Sequence, residues 1–241
     1  MDNTDLAPWP AAVRLNAALR ARSVVLGIAL EKDGAAELSP AEAVLCVGLA
    51  TRRLDDLRRG RAAARRALRM LGSSETTVLR ERNGAPAFPK GFIGSISHTT
   101  GRALAAAAKA EHVGGLGVDV EIITAGVQQD LADLIPLAER QAFAACFGLS
   151  EDAAAIARFS LSESLYKAVS ACLRRWIDFD ECQFHPGRDR RIAISACSAD
   201  LSAVLDGAGC ELETDASCVL SVVWLPAHVR EKPVATENVG K

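Results

Sequence analysis

Asp119 and Glu121 stand one residue apart in Gly117-Val-Asp-Val-Glu-Ile-Ile123, a run otherwise built from small or β-branched apolar residues. On an extended chain, side chains i and i+2 share a face, so the two acids project together while Val118 and Val120 face the other way. Two like charges so close repel unless water solvates them or a cation bridges them. An oxygen-only donor pair favours a hard ion, above all Mg²⁺. The plain alternative is a half-exposed strand with two solvated acids.

A second acid–base set lies in Arg158-Phe-Ser-Leu-Ser-Glu-Ser-Leu-Tyr-Lys167. Ser160 and Glu163 form S-x-x-E, which reads as a capping box at a helix start. Leu161, Leu165, Ala168 and Cys172 then make the buried stripe, and Glu163 and Lys167 pair at i, i+4 on another face. Such a pair is ordinarily a surface salt bridge. A third carboxylate beside a lysine is also what a metal-bound phosphoryl group needs: the acid completes the metal site or takes a proton, and the ammonium neutralises developing charge.

Residues 51–71 are rich in arginine. The apolar positions Leu54, Leu57, Ala64, Leu68 and Leu71 are spaced 3, 7, 4 and 3, and the position completing that rhythm is Arg61. An arginine on a core-facing seam should be paired, because an unpaired buried charge is costly. Arg65 lies one turn on and Arg53 two turns before; guanidinium forks suit phosphate. A solvated basic face accounts for Arg52, Arg58, Arg59, Arg66 and Arg69. Further on, Arg80-Glu-Arg82-Asn83-Gly84 and two prolines force turns, then Gly94-Ser-Ile-Ser97-His98 reads as a strand ending on a histidine. No G-x-S-x-G elbow accompanies Ser97 and His98, so a hydrolase nucleophile is disfavoured and His98 is better suited to donating to a phosphate.

The elements that must position these groups are short. β-Branched runs bounded by turn residues predict strands at 23–30, 92–98, 116–123, 177–184, 191–197 and 217–224. Helices are expected at 40–71, 129–147 and 160–174. Ser39, Pro40 and Glu42 supply the first start signal, and Leu71-Gly72 its end. Alternating strands and helices indicate α/β or α+β, and helix-then-strands occurs on both sides of residue 118. With 241 residues, 49% hydrophobic, 24% charged and a formal charge of -2, the chain can bury a sizeable core. It has little reason to coat nucleic acid. No run approaches the ~18 continuous apolar residues of a membrane span, and the acidic N-terminus does not read as a secretion signal. The seven cysteines (46, 146, 172, 182, 197, 210 and 218) lack CxxC spacing. They read as reduced, mostly buried thiols in a cytoplasmic protein.

In order, the arginine-rich helix, N-G-x-P-x-F-P, G-S-I-S-H, G-V-D-V-E, F-S-x-x-E-S-x-Y-K and R-R-W-I-D-F resemble the 4′-phosphopantetheinyl transferases of the broad-specificity type. Those enzymes serve siderophore, nonribosomal-peptide and polyketide carriers. The resemblance covers roughly residues 40 to 184. It implies a monomer of two similar α/β (α+β) lobes, each a small, mostly antiparallel sheet with a long helix. Their bounds would be 1–117 and 118–225, with a polar tail at 226–241 and coenzyme A in the cleft between the lobes. It implies transfer of the phosphopantetheine arm to a serine of an apo-carrier protein, with release of adenosine 3′,5′-bisphosphate. By position, Asp119, Glu121 and Glu163 would be the Mg²⁺ ligands. Arg53, Arg61, Arg80, Arg82, Asn83, Ser97 and His98 would contact coenzyme A, with Asp119, Glu163 and Lys167 at its pyrophosphate. Glu163 would take the serine proton and Lys167 would stabilise the leaving group. The chain departs from the family at Ser162, where many relatives carry lysine. It departs also at Ala85, where a charged residue is common, and at Thr99, where cysteine or another small residue is frequent. Two other readings remain at this level: a Mg²⁺-dependent nuclease or phosphodiesterase, since D-x-E with E-x-x-x-K can build either site, and a non-catalytic α/β binding domain.

Overall fold

The structure is a computed structural model that describes residues 6–33, 37–124, 126, 131, 134–173 and 175–230. Two three-stranded antiparallel sheets form its centre. The first has the order β1 (Val24–Leu30), β5 (Arg102–Lys109), β4 (Phe92–Thr99); the second has β6 (Val113–Ile122), β10 (Cys218–Pro226), β9 (Gly209–Thr214). In register, Leu26 pairs with Ala106 and Ser97 with Leu104 in the first sheet, and Asp119 pairs with Ser221 in the second. Each sheet is entered by its first strand, crossed by a long helix and completed by an antiparallel strand pair. The helices are α3 (Thr51–Met70) and α5 (Glu151–Leu173). The same strand order in both halves is the repeat expected from sequence. The turn between the sheets is at 110–112, so residues 117 and 118 fall inside β6.

Three layers of apolar contact hold these parts. Leu26, Ile28, Leu104, Val118, Val120, Leu220 and Val222 meet between the sheets, where α1 (Pro10–Leu19) adds Leu15 and Leu19. Helix α3 backs the first sheet through Ala63, Ala64 and Leu68 against Ala29, Ala103 and Ala105. Helix α5 backs the second through Leu161, Leu165, Ala168 and Val169 against Val219, Val223 and Leu225. Both helices sit close because a glycine lies beneath each. A Cβ at Gly27 would overlap the Ala63 carbonyl, and one at Gly117 the Ser164 carbonyl.

Several elements differ from expectation. The helix expected at 40–71 is broken: α2 (Pro40–Ala43) keeps the capping box of Ser39 and Glu42, a 3₁₀ turn follows, and Gly48 at φ +77° redirects the chain before α3. The helix expected at 160–174 begins at Glu151, where the Ser150 hydroxyl accepts from the Ala153 amide. Ser160 and Glu163 are therefore mid-helix and form no capping box. The helix expected at 129–147 is seen as α4 (Leu137–Phe147), with part of its start outside the described residues, as is residue 174. Helices α1 and α6 (Ala199–Leu205) and strands β5 and β9 were not anticipated. A short hairpin, β2 (Leu79–Arg80) with β3 (Pro86–Ala87), carries the N-G turn. The strands expected at 177–184 and 191–197 pair as β7 (Cys182–Pro186) and β8 (Ile192–Ala196), the first preceded by a 3₁₀ turn. Of the thiols, Cys182, Cys210 and Cys218 are buried and Cys197 is exposed, and none of the seven is in a disulfide, so burial is less general than expected. Among the described residues no helix is long and apolar enough to cross a membrane. Most of the tail expected at 226–241 lies outside the described residues.

The glycine seats are testable by unfolding. Gly27→Ala and Gly117→Ala should each lose about 3 kcal/mol in urea titration, the upper part of the range for forced overpacking. A loss below about 1 kcal/mol at either position would show that the helix can back away.

Candidate functional site

The candidate site forms where β4 and β6 run side by side beneath α5. Val118 and Val120 of β6 enter the inter-sheet core, so Asp119 must point the other way, toward α5. There it is 3% exposed rather than part of a solvated edge. Its Oδ1 accepts from Lys167 Nζ at 2.7 Å and from Ser97 Oγ at 2.9 Å. Its Oδ2 is buried and has no partner among the described residues. Lys167 also donates to the Val118 carbonyl at 3.1 Å. Three elements thus converge on one carboxylate.

Glu121, two residues along the same face, is half-buried. Its carboxyl is pushed up to about 7, first by burial, then by the neighbouring charge of Asp119, with Lys167 opposing and Glu163 adding. Glu163, one turn before Lys167, is raised as well by burial, Lys167 opposing and Asp119 adding. Burial and the neighbouring charge of Asp119 thus disfavour the charged forms of both glutamates. Among the described residues no three of His, Cys, Asp and Glu lie close enough to hold a metal ion as they stand. The chemistry of the donors nonetheless suits a hard divalent cation: an orphaned buried carboxylate oxygen and two acids whose charged forms are disfavoured by burial and by the neighbouring charge of Asp119.

The basic residues separate into two groups. Arg61 is buried, as the seam spacing predicts, at 6% exposure. Its Nη2 donates to the Leu79 carbonyl at 2.9 Å, and its Nε has no partner among the described residues. The acid near it, Glu42, is bound instead by Arg65 at 2.7 Å and by the Val78 amide. Burial lowers the proton affinity of Arg61, Glu42 opposes, and Arg80 and Arg65 add to the lowering. Arg80, on the adjoining hairpin, reaches the Gly84 carbonyl, and Asn83 Oδ1 holds the turn through the Ala85 amide. Arg82 and Arg53 are exposed. His98, exposed, turns away from Ser97: its Nδ1 lies 3.8 Å from Asp56 Oδ2 on α3, where Arg59 also binds.

Sequence reasoning missed Arg158. It is 2% exposed and donates to Glu139 at 2.6 Å, to the Cys182 carbonyl at 2.8 Å and to Ser162, with Phe179 and Phe184 against its plane. The hydroxyl of Ser162 is therefore engaged with a structural arginine. Also missed were Ser160, Ser164 and Ser221, whose buried hydroxyls join α5 to β10. A residue type that caps or solvates as readily as serine gives no signal of this packing.

The raised Glu121 sets a pH dependence. A folded-state value near 7 against an ordinary 4.5 means the native state binds more protons than the unfolded chain between these limits. Stability is then fully present below about 4.5 and lost as pH rises through about 7. Urea midpoints in metal-free buffer should fall across that window, and Glu121→Gln should make the fall shallower. An unaltered slope would locate the excess proton affinity elsewhere.

Comparison with known proteins follows the same residues. A profile of the 4′-phosphopantetheinyl transferase N-terminal domain matches 41–108, and one of the 4′-phosphopantetheinyl transferase superfamily matches 115–212. Together they span more than half of the chain. Similar curated proteins are the 4′-phosphopantetheinyl transferase Svp of Streptomyces mobaraensis, 32% identical over 63% of this chain and 62% of that protein, and Npt of Nocardia iowensis, 29% identical over 59% and 63%. A third is PptT of Mycobacterium tuberculosis, 30% identical over 59% and 62%. The chain spans less than two thirds of the length of each relative. On these matches the chain belongs to the 4′-phosphopantetheinyl transferase superfamily.

Proposed function

We propose that the chain transfers the 4′-phosphopantetheine arm of coenzyme A to a serine of an apo-carrier protein. The observation that carries this reading is the buried Asp119, gripped by Lys167 and Ser97 on one oxygen and orphaned on the other, with two proton-hungry glutamates beside it. In the reaction the serine oxygen bonds to the phosphorus that bears the pantetheine arm. The bond from that phosphorus to the bridging oxygen breaks, and adenosine 3′,5′-bisphosphate leaves with the electron pair. Glu163, whose proton affinity is raised, accepts the serine proton directly or through water. Lys167, while it holds Asp119, lends its positive charge to the leaving group. Asp119, Glu121 and Glu163 would hold Mg²⁺, which when bound supplies charge neutralisation at the pyrophosphate. The group of Arg61, Arg65 and Arg80 around Glu42 has positive charge to offer an anion, and the phosphates of coenzyme A fit that excess. A monomer working in the cytoplasm is part of the same proposal.

The deciding measurement is the intact mass of a generic apo-carrier incubated with the chain, coenzyme A and Mg²⁺. The expected result is a gain equal to one phosphopantetheine arm. An unchanged mass, or cleavage of plasmid DNA by the chain, would overturn the reading. Asp119→Asn and Glu163→Gln should each slow transfer by about a hundredfold or more, as loss of a charge-stabilising group does, with the fold kept by circular dichroism. Full activity in both variants would mean the acids are misassigned. Arg61→Ala should weaken coenzyme A binding by about tenfold in calorimetry, the scale of one charge-assisted hydrogen bond; an unchanged affinity would leave Arg61 with the hairpin alone.

A further inference from the structure

Strands β4 and β6 lie side by side without a backbone ladder between them, since β4 pairs with β5 and β6 with β10. Two serines of β4 bridge the seam instead. Ser95 and Ser97 sit at i and i+2, share a face, and are 4% and 7% exposed. Ser95 Oγ accepts from the Val118 amide at 3.1 Å, satisfying a buried donor of β6. Ser97 Oγ donates to Asp119 Oδ1 at 2.9 Å.

A hydroxyl has one proton. That of Ser97 is committed to Asp119, and the approach of Lys167 Nζ at 3.5 Å occupies its acceptor side. Nothing is left on this side chain to donate to a phosphate, the role its place before His98 suggests. The two neighbours divide: His98 faces α3 and solvent, whereas Ser97 faces the carboxylate. Asp119 needs such a partner. A carboxylate rotating freely about its terminal torsion presents either oxygen, and a metal ligand is effective when other hydrogen bonds fix its plane.

We propose that Ser97 is a positioning residue for Asp119: with Lys167 it saturates Oδ1 and fixes the carboxylate so that Oδ2 is the oxygen available to a divalent cation. This rests on the functional reading above for the identity of the reaction, but it has its own readout. Ser95 completes the device by locking β4 to β6 at the preceding residue.

The test uses Ser97→Ala, which removes one oxygen, and Ser97→Thr, which restores it. Mn²⁺ is titrated into the full chain without a carrier, with and without coenzyme A, and free Mn²⁺ is followed by electron paramagnetic resonance. The alanine variant should bind Mn²⁺ about tenfold or more weakly, the scale for losing a hydrogen bond behind a metal ligand. Its kcat for transfer should fall with KM for coenzyme A unchanged, and the threonine variant should recover both. Urea midpoints measured alongside separate these effects from lost stability. Unaltered Mn²⁺ affinity in Ser97→Ala, or a wild-type chain that binds no Mn²⁺ in either arm, overturns the proposal even if carriers are modified. A raised KM with kcat kept also overturns it and returns Ser97 to the coenzyme A contacts. A weaker Mn²⁺ affinity in the alanine variant upholds the proposal even where no carrier gains mass, an outcome that would defeat the functional reading alone.

Discussion

A carboxylate almost without solvent, on a strand between a helix and a neighbouring sheet, is the constraint on which this structure turns. Asp119 cannot shed its charge burden to water, so other elements must meet it. Lys167 comes from α5, Ser97 from β4, and both reach the same oxygen. Each contact fixes a relation that the apolar core leaves loose: helix against strand in one case, sheet against sheet in the other. Hydrophobic burial is non-directional and would tolerate a small slide of α5 along β6. A 2.7 Å ion pair to a buried oxygen would not.

That convergence is possible only because the helix comes down close. Gly117 gives α5 its seat against β6, and Asp119 is the next residue on the same face. A side chain at 117 would lift the helix and carry Lys167 with it. The first sheet uses the same device at Gly27 under α3, yet no acid follows there: Ala29 occupies the corresponding place and packs against Ala63. The two halves therefore share an architecture and differ in chemistry. One half is an apolar copy of the seat, and the other carries the charge.

Much of the site was legible in residue types and spacing, and its assembly was not. The i, i+2 rule put Asp119 and Glu121 on one face, and the i, i+4 rule put Glu163 beside Lys167; both hold. That Lys167 would reach Asp119 before Glu163 depends on where α5 lies, a relation across 48 residues that no local pattern encodes. Strands with β-branched runs, such as β1 and β10, declared themselves. Strand β5, Arg-Ala-Leu-Ala-Ala-Ala-Ala-Lys, did not, because alanine favours helices in isolation. It is a strand because both of its faces are covered, by α3 on one side and the shared core on the other, and only small residues fit between. The start of α5 was hidden by an imitation. Ser160 and Glu163 have capping-box spacing, whereas the working cap is Ser150, just after Gly148 at φ +68°.

Two buried arginines show how satisfaction separates structure from function. Arg158 has a carboxylate on Nε, a hydroxyl on one terminal nitrogen, a carbonyl on the other and aromatic rings against its plane. Each of its three nitrogens donates to a partner in α4, α5 or β7, so it fastens those elements and has little to offer a ligand. Arg61 is nearly as buried, but it holds one carbonyl, its Nε is idle, and the nearby acid is held by Arg65. A guanidinium desolvated beside an acid already committed to another arginine is a costly arrangement to keep for packing alone. The same burial and the nearby charges of Arg80 and Arg65 make an arriving anion correspondingly favourable there. Of the two, only Arg61 has unmet capacity, and that capacity is for negative charge.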